Sequence, residues 1–283
     1  MGRAGPSHRG PGSAVVTFTA PFLPTMAELL DLEELDRDLY RGVNEVPTNE
    51  RPTLYGGQIA AQALKAAGLT VPEGRYPHSL HGYFLRPGLR ADPVIFKVER
   101  DRDGRSFSAR RVSAVQHGAV IFDLTASFHL DEPGGEYASA MPTDLPLPEQ
   151  CKAEPFNHNF PRAEARVVPP TMIDAQGNEL SSTMWLRIRE PLGDDRLTHS
   201  CALAYLSDIG TGFLSTAIEG LPRGGPSLDH AMWFRAPIRA DGWVYHHMWP
   251  LHAGGARGLY AGSMYQHDGA LGVTIAQESL LRG

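Results

Sequence analysis

Three polar side chains in the second half of the chain carry groups suited to chemistry: the carboxylate of Asp208, the hydroxyl of Ser227 and the amide of Gln277. A carboxylate can take up a proton, and a hydroxyl and an amide can both donate and accept hydrogen bonds to a bound molecule. Each also has a plain structural reading, with Asp208 as a helix N-cap, Ser227 as a turn residue and Gln277 as a satisfied strand-end amide. What singles them out is that the chain holds a second copy of the same segment in which none of the three recurs.

The copies align through His81-Gly-Tyr-Phe-Leu-Arg86 and His230-Ala-Met-Trp-Phe-Arg235, at an offset of 230 − 81 = 149. Arg90-Ala-Asp92 then falls on Arg239-Ala-Asp241, and Gln116-His117 on Gln266-His267 at 266 − 116 = 150. In this alignment Asp208 stands opposite Gln58, Ser227 opposite His78 and Gln277 opposite Ala126. One copy offers carboxylate, hydroxyl and amide; the other offers amide, imidazole and methyl.

The elements that must position these groups follow from periodicity. Residues 27–41 space Leu29, Leu32, Leu35 and Leu39 as a short amphipathic helix or a helix followed by strand. Leu54 to Ala67 reads as a small-residue helix with Ile59, Ala60, Ala63, Leu64 and Ala67 on one face, the composition of a buried helix. Ser207 to Ala217 reads as its counterpart, with Asp208 near the helix start. Strands are expected at 79–85, 93–99, 106–113, 120–128, 184–189, 228–235, 243–250, 258–266 and 271–278. Val120, Phe122, Leu124, Ala126 and Phe128 alternate with Ile121, Asp123, Thr125 and Ser127, the mark of a mostly half-buried antiparallel strand. Gln116-His-Gly118 closes a hairpin. Each copy is thus one buried helix and an antiparallel sheet, and wrapping the sheet around the helix buries both apolar faces. The boundaries are a leader over 1–26, flexible and rich in Gly and Pro, one repeat over 27–131, a proline-rich connector over 132–180, and the repeat with the polar trio over 181–283.

Composition removes several classes of function. The net charge of 26 − 32 = −6 gives no general reason to bind nucleic acid. Cys151 and Cys201 form no C-x-x-C pair and read as free thiols of a reducing compartment. No apolar run reaches the length of a membrane span and no secretory signal opens the chain, so a cytoplasmic protein is expected. G-x-S-x-G and H-E-x-x-H are both absent. His246 and His247 point to opposite strand faces and make a poor chelate, so no metal or cofactor is expected. His230 reads as a core histidine with a satisfied ring, and Tyr83, Phe84, Trp233 and Phe234 as core aromatics.

Leu54-Tyr-Gly-Gly-Gln58, His78-Ser-Leu-His-Gly-Tyr-Phe-Leu-Arg-Pro-Gly88, Arg102-Asp-Gly-Arg-Ser-Phe-Ser-Ala-Arg-Arg111, Asp229-His-Ala-Met-Trp-Phe234 and Gln277-Glu278 resemble the acyl-CoA thioesterase II family over nearly the whole chain from Leu29. The resemblance implies an α+β double hotdog, with two antiparallel sheets each wrapping a central helix, and pairing into homo-oligomers, dimers or tetramers. It implies hydrolysis of fatty acyl-CoA to fatty acid and CoA by a water held by an aspartate, a serine or threonine, and a glutamine, which map onto Asp208, Ser227 and Gln277. Ser227 departs from the family's commoner threonine and lacks the methyl that restricts its rotamer. Gly57, in a turn without side-chain obstruction, is nominated as an oxyanion donor. Arg86, Arg90, Arg105, Arg110 and Arg111 are candidates for the CoA phosphates. Two other readings are kept. A hotdog enoyl-CoA hydratase would want an Asp/His pair in one short segment, and no histidine closely follows Asp208. A non-catalytic acyl-CoA-binding or regulatory module would bind without turnover.

Overall fold

The computed structural model describes residues 23–45, 52–153, 160–172, 177, 181–210 and 225–282. The leader expected over 1–26 lies outside these residues up to position 22. At its end, Thr25 caps the helix α1 (Met26–Leu30) in a capping box with Glu28. The strands β1 (Glu33–Asp36) and β2 (Leu39–Gly42) follow, so the 27–41 segment takes the helix-then-strand form.

The first repeat contains α2 (Gly56–Gly68), β3 (Arg75–Phe84), β4 (Val94–Asp103), β5 (Phe107–Gln116) and β6 (Ala119–Leu130). His117 and Gly118, at φ 50° and 75°, form the left-handed pair that a two-residue hairpin needs. The second contains β9 (Ser182–Ile188), α3 (Arg196–Ser207), β10 (Asp229–Phe234), β11 (Val244–Gly254), β12 (Arg257–Gln266) and β13 (Leu271–Leu280). Two strands come from the segment read as a connector: β7 (Lys152–Ala153) and β8 (Ala163–Val167), the latter paired with β9.

The antiparallel sheets of the two repeats run together edge to edge: among the described residues, thirteen strands follow the order β1-β2-β4-β5-β6-β3-β10-β13-β12-β11-β9-β8-β7. The halves join at the centre, where β3 and β10 pair antiparallel with Leu80 opposite Met232. The order reads the same from both ends except for β7, so the halves are related by a pseudo-two-fold at that seam. α2 and α3 lie against each other under the sheet, and both are buried on nearly all faces. The start of α2 meets the end of α3, and the start of α3 meets the end of α2, where a Cβ on Gly68 would lie 2.5 Å from Leu197.

Three sequence expectations change. The second helix, read over 207–217, is α3, which ends at Ser207; Asp208 is its C-cap rather than a residue of the first turn, and 211–217 lie outside the described residues. The helices are therefore offset by 196 − 56 = 140, not 150, and Gln58 is not the counterpart of Asp208. The histidine motif is one residue out of register. Leu80 lies opposite Ala126, whereas the β10–β13 pairing sets His230 level with Gln277, so His230 corresponds to Leu80. Because a slip of one residue exchanges strand faces, His81 is exposed, with its ring edge-on to Trp233, while His230 is buried. The Gln277–Ala126 correspondence agrees with the ladder: Tyr260 faces Gln277 as Arg110 faces Ala126.

Arg110 is also corrected. It is fully buried, and its guanidinium donates to Thr70 Oγ1, the carbonyls of Thr70, Arg102 and Ala109, and Asp103 Oδ1. It staples β5 to the end of α2 and the β4 ladder and has no donor left for a phosphate. Arg110→Met should leave kcat unchanged and lower stability by about 1–3 kcal/mol through the carbonyls it strands. Urea unfolding beside a thiol-release assay checks this; unchanged stability with raised KM would return Arg110 to the ligand site.

Candidate active site

Asp208, Ser227 and Gln277 come together although they lie on three different segments. Asp208 ends α3, Ser227 stands just ahead of β10 and is bridged to Ser279, and Gln277 lies on the inward face of β13 with Val273 and Ile275. Gln277 is completely buried, so each polar atom of its amide needs a partner. Its Nε2 donates to Asp208 Oδ1 at 3.0 Å and to Ser227 Oγ, and its Oε1 lies 2.8 Å from His230 Nδ1. Both amide hydrogens are thereby engaged. The other face of the carboxylate is held from the opposite half of the molecule, where the Gly57 N–H donates to Asp208 Oδ2 at 2.9 Å. That replaces the nominated role of Gly57, since its amide hydrogen points at the carboxylate and not into an open oxyanion position. A carboxylate at the start of α2 also meets the positive end of that helix.

The glycine pair makes this approach possible. A Cβ on Gly56 would lie 2.7 Å from Asp208 Oδ2 and 2.9 Å from the Phe84 ring, and one on Gly57 would lie 2.5 Å from the Tyr205 carbonyl oxygen. The second clash is with backbone, which cannot swing away. Gly57→Ala should therefore push α2 off α3, costing about 1–3 kcal/mol as overpacking does, and lower kcat together with stability. Thermal unfolding and thiol release measured on one preparation test this; an unaltered melting curve would show that the helices do not need this contact.

Around the trio, Tyr55 donates its hydroxyl to the Tyr205 carbonyl at 2.7 Å, and burial first, then the nearby Asp208 charge, hold its pKa well above the usual phenol range. Tyr205 in turn donates to the buried Glu45 carboxyl at 3.0 Å. Burial raises Glu45 to about 7 against the opposing pull of Tyr205 and Arg162. His230 joins the trio through a ring whose other nitrogen lies 2.8 Å from Ser207 Oγ, and burial lowers its pKa. The sequence carried a signal for this: His230 shares strand parity with Met232, which puts it on the inward face. Tyr55 carried none.

The remaining candidates are scattered. Arg86 is exposed and donates to the Val120 carbonyl at 2.7 Å. Arg111 is exposed and paired with Asp101 at 2.9 Å and Glu99 at 3.3 Å. Arg105 is exposed in the turn between β4 and β5. Arg90 is partly buried, and its carbonyl accepts from Asn44. Phe84 and Phe234 pack on the core, whereas Tyr83 is 58% exposed. Among the described residues no three His, Cys, Asp or Glu side chains gather as a metal site, and no helix is long and apolar enough to cross a membrane.

Two family models match successive parts of the chain. Residues 45–129 match an acyl-CoA thioesterase N-terminal domain and residues 135–281 an acyl-CoA thioesterase C-terminal domain. This chain belongs to the acyl-CoA thioesterase family. Among its relatives, acyl-coenzyme A thioesterase 8 of Mus musculus is 41% identical, over 91% of this chain and 88% of that protein. Acyl-CoA thioesterase 2 of Haemophilus influenzae is 33% identical, over 92% and 98%. A solved acyl-CoA thioesterase II, TesB2 of Mycobacterium marinum, superposes with a TM-score of 0.79 at 39% identity, covering 91% of this thioesterase and 98% of that chain. A solved chain from Thermobifida fusca, only 14% identical, shares the fold with a TM-score of 0.77.

Proposed function

We propose that this thioesterase hydrolyses fatty acyl-CoA to a fatty acid and CoA by direct attack of water, with Asp208 as the general base. The observation that carries the reading is the two-sided clamp on the Asp208 carboxylate, by Gly57 N–H from one repeat and Gln277 Nε2 from the other. The clamp fixes the carboxylate by one bond to each oxygen, and a carboxylate can accept more than these two. Ser227 Oγ accepts from Gln277, so its own hydrogen is free to donate to the water or the substrate. Gln277 then aligns the base with the hydroxyl and does not itself hold the water.

In the reaction the water oxygen bonds to the thioester carbonyl carbon as Asp208 takes its proton. The carbonyl oxygen becomes an oxyanion, for which the Ser227 hydroxyl is the donor the trio offers. The tetrahedral adduct collapses by breaking the C–S bond. CoA leaves as a thiolate, whose conjugate thiol has a pKa near ~8.5, so no strong general acid is needed. The exposed Arg86, Arg105 and Arg111, with Arg90, are the groups offered to the CoA phosphates. The buried free thiols Cys151 and Cys201 suit a reducing, cytoplasmic setting, and the sheet edges at β1 and β7 suit assembly into a homo-oligomer.

Purified chain given acyl-CoA thioesters of increasing length should release free thiol stoichiometrically with acid. With an enoyl-CoA as substrate, loss of the enoyl absorbance without thiol would indicate a hydratase, and tight binding of acyl-CoA without turnover a binding module.

A further inference from the structure

His230 lies behind the reacting groups, yet its hydrogen bonds leave it little freedom. We infer that His230 is a positioning residue which fixes the orientation of the Gln277 amide and through it the geometry of Asp208 and Ser227. The inference rests on the hydrolytic reading of those three side chains.

Gln277 Nε2 faces two acceptors, Asp208 Oδ1 and Ser227 Oγ, so the amide oxygen is the atom on His230 Nδ1. That oxygen carries no hydrogen, so Nδ1 must carry one. In a neutral ring Nε2 is then bare and accepts from the Ser207 hydroxyl, 2.8 Å away. The same hydroxyl lies 2.9 Å from the Ala204 carbonyl, but it has a single hydrogen. It can serve Ala204 only when the ring is doubly protonated. The ring is completely enclosed; burial opposes that charge, while Asp208 and Asp229 favour it. Behind it on β11, His246 is equally enclosed, and burial lowers it to about 3.

Reversing the Gln277 amide would set oxygen against the Asp208 carboxylate and NH2 against Nδ1–H, two mismatches at once. The contacts also close a circuit. It runs from Ser207 to His230, to Gln277, to Asp208, and Asp208 is the next residue after Ser207 on α3. One helix end therefore anchors both the reacting carboxylate and the far end of the chain that aims it.

The test compares full-length His230→Leu, His230→Asn and Ser207→Ala with the wild type and with Asp208→Asn, by steady-state thiol release and melting curves. His230→Leu should lose roughly 10- to 100-fold in kcat, the size typical of an outer hydrogen-bond partner, with KM held within about threefold. His230→Asn places an amide N–H near the Nδ1 position and should recover most of that loss. Its acidic limb in the pH profile of kcat/KM should stay where the wild type has it. Ser207→Ala should show a smaller loss in kcat alone. A folded His230→Leu with wild-type kcat overturns the inference. So does a His230→Asn as poor as His230→Leu with the acidic limb gone, which would mark a proton carrier. Should the leucine variant not fold, His230→Gln decides, because its longer amide reaches toward Ser207 and not Gln277: kcat reduced as above supports the inference, and wild-type kcat overturns it. An active Asp208→Asn would sink the hydrolytic reading itself, whereas an inactive one beside a fully active His230→Leu removes only the positioning role.

Discussion

Asp208→Asn should lower kcat for a long-chain acyl-CoA by about 100- to 10,000-fold, the range supplied by a positioned general base. The change is isosteric, so the fold should survive. The side chain, however, loses one of the two acceptors that its neighbours need. Gly57 N–H and Gln277 Nε2 each donate to one carboxylate oxygen; in asparagine one of those oxygens becomes an NH2 and faces a donor. The variant thus loses the base and one half of the clamp together. KM should change little, because the lost interaction belongs to the transition state and not to binding of the CoA portion. Thiol release under saturating substrate, with circular dichroism to establish folding, checks the result. Near wild-type turnover would mean that another group activates the water.

The second large effect is expected at Gln277. Gln277→Met keeps the volume but removes the donors to Asp208 and Ser227 and the acceptor for His230. kcat should fall by roughly 100- to 1,000-fold, as when a preorganised donor is removed from an active site. Gln277→Glu sharpens the test through its sign with pH. The glutamate can donate toward Asp208 or Ser227 only while protonated; once ionised, it repels the Asp208 carboxylate. Its residual activity should therefore be highest at low pH and decline as pH rises through the pKa of the new carboxyl. Gln277→Met, with no ionisable group at this position, should show no such added decline. A glutamate variant whose activity rises with pH in parallel with the wild type would show that the amide does not donate to its neighbours.

How far the site could be read from the sequence depended on burial. The strands were legible because most have one wet face: Ile275 and Gln277 alternate with half-buried residues along β13, and β6 behaves the same way. α3 was not legible. It is enclosed on nearly every side, with His199 and Cys201 through Ser207 all buried, so its residues show no 3.6-residue contrast. The small residues after Asp208 imitated the glycines that open α2 and drew the expected helix past its true end. β8 was missed because five residues in a proline-rich stretch leave too short an alternation to detect. Asp208 lies beside Gln277 even though its helix was misplaced, because the comparison of the copies and the resemblance both point to a residue and not to its element. Gly57 meets a carboxylate where an open position was expected. A sequence can show that a turn is unobstructed, but not which carboxylate from the other half of the chain arrives there.

The seam between β3 and β10 has a consequence for how such a site could diverge. In an assembly of identical single units, any change to one helix end or one inward strand position appears at both symmetry-related places. Here the equivalent contacts have separate codons. Gly57 meets Asp208 at one helix junction, whereas Leu197 meets Gly68 at the other. Gln277 and His230 occupy one inward pair, and Ala126 and Leu80 the other. Covalent fusion thus lifts the requirement that both junctions suit one purpose. Polar groups that weaken packing can be concentrated at one junction while apolar contacts at its mate hold the shared sheet together.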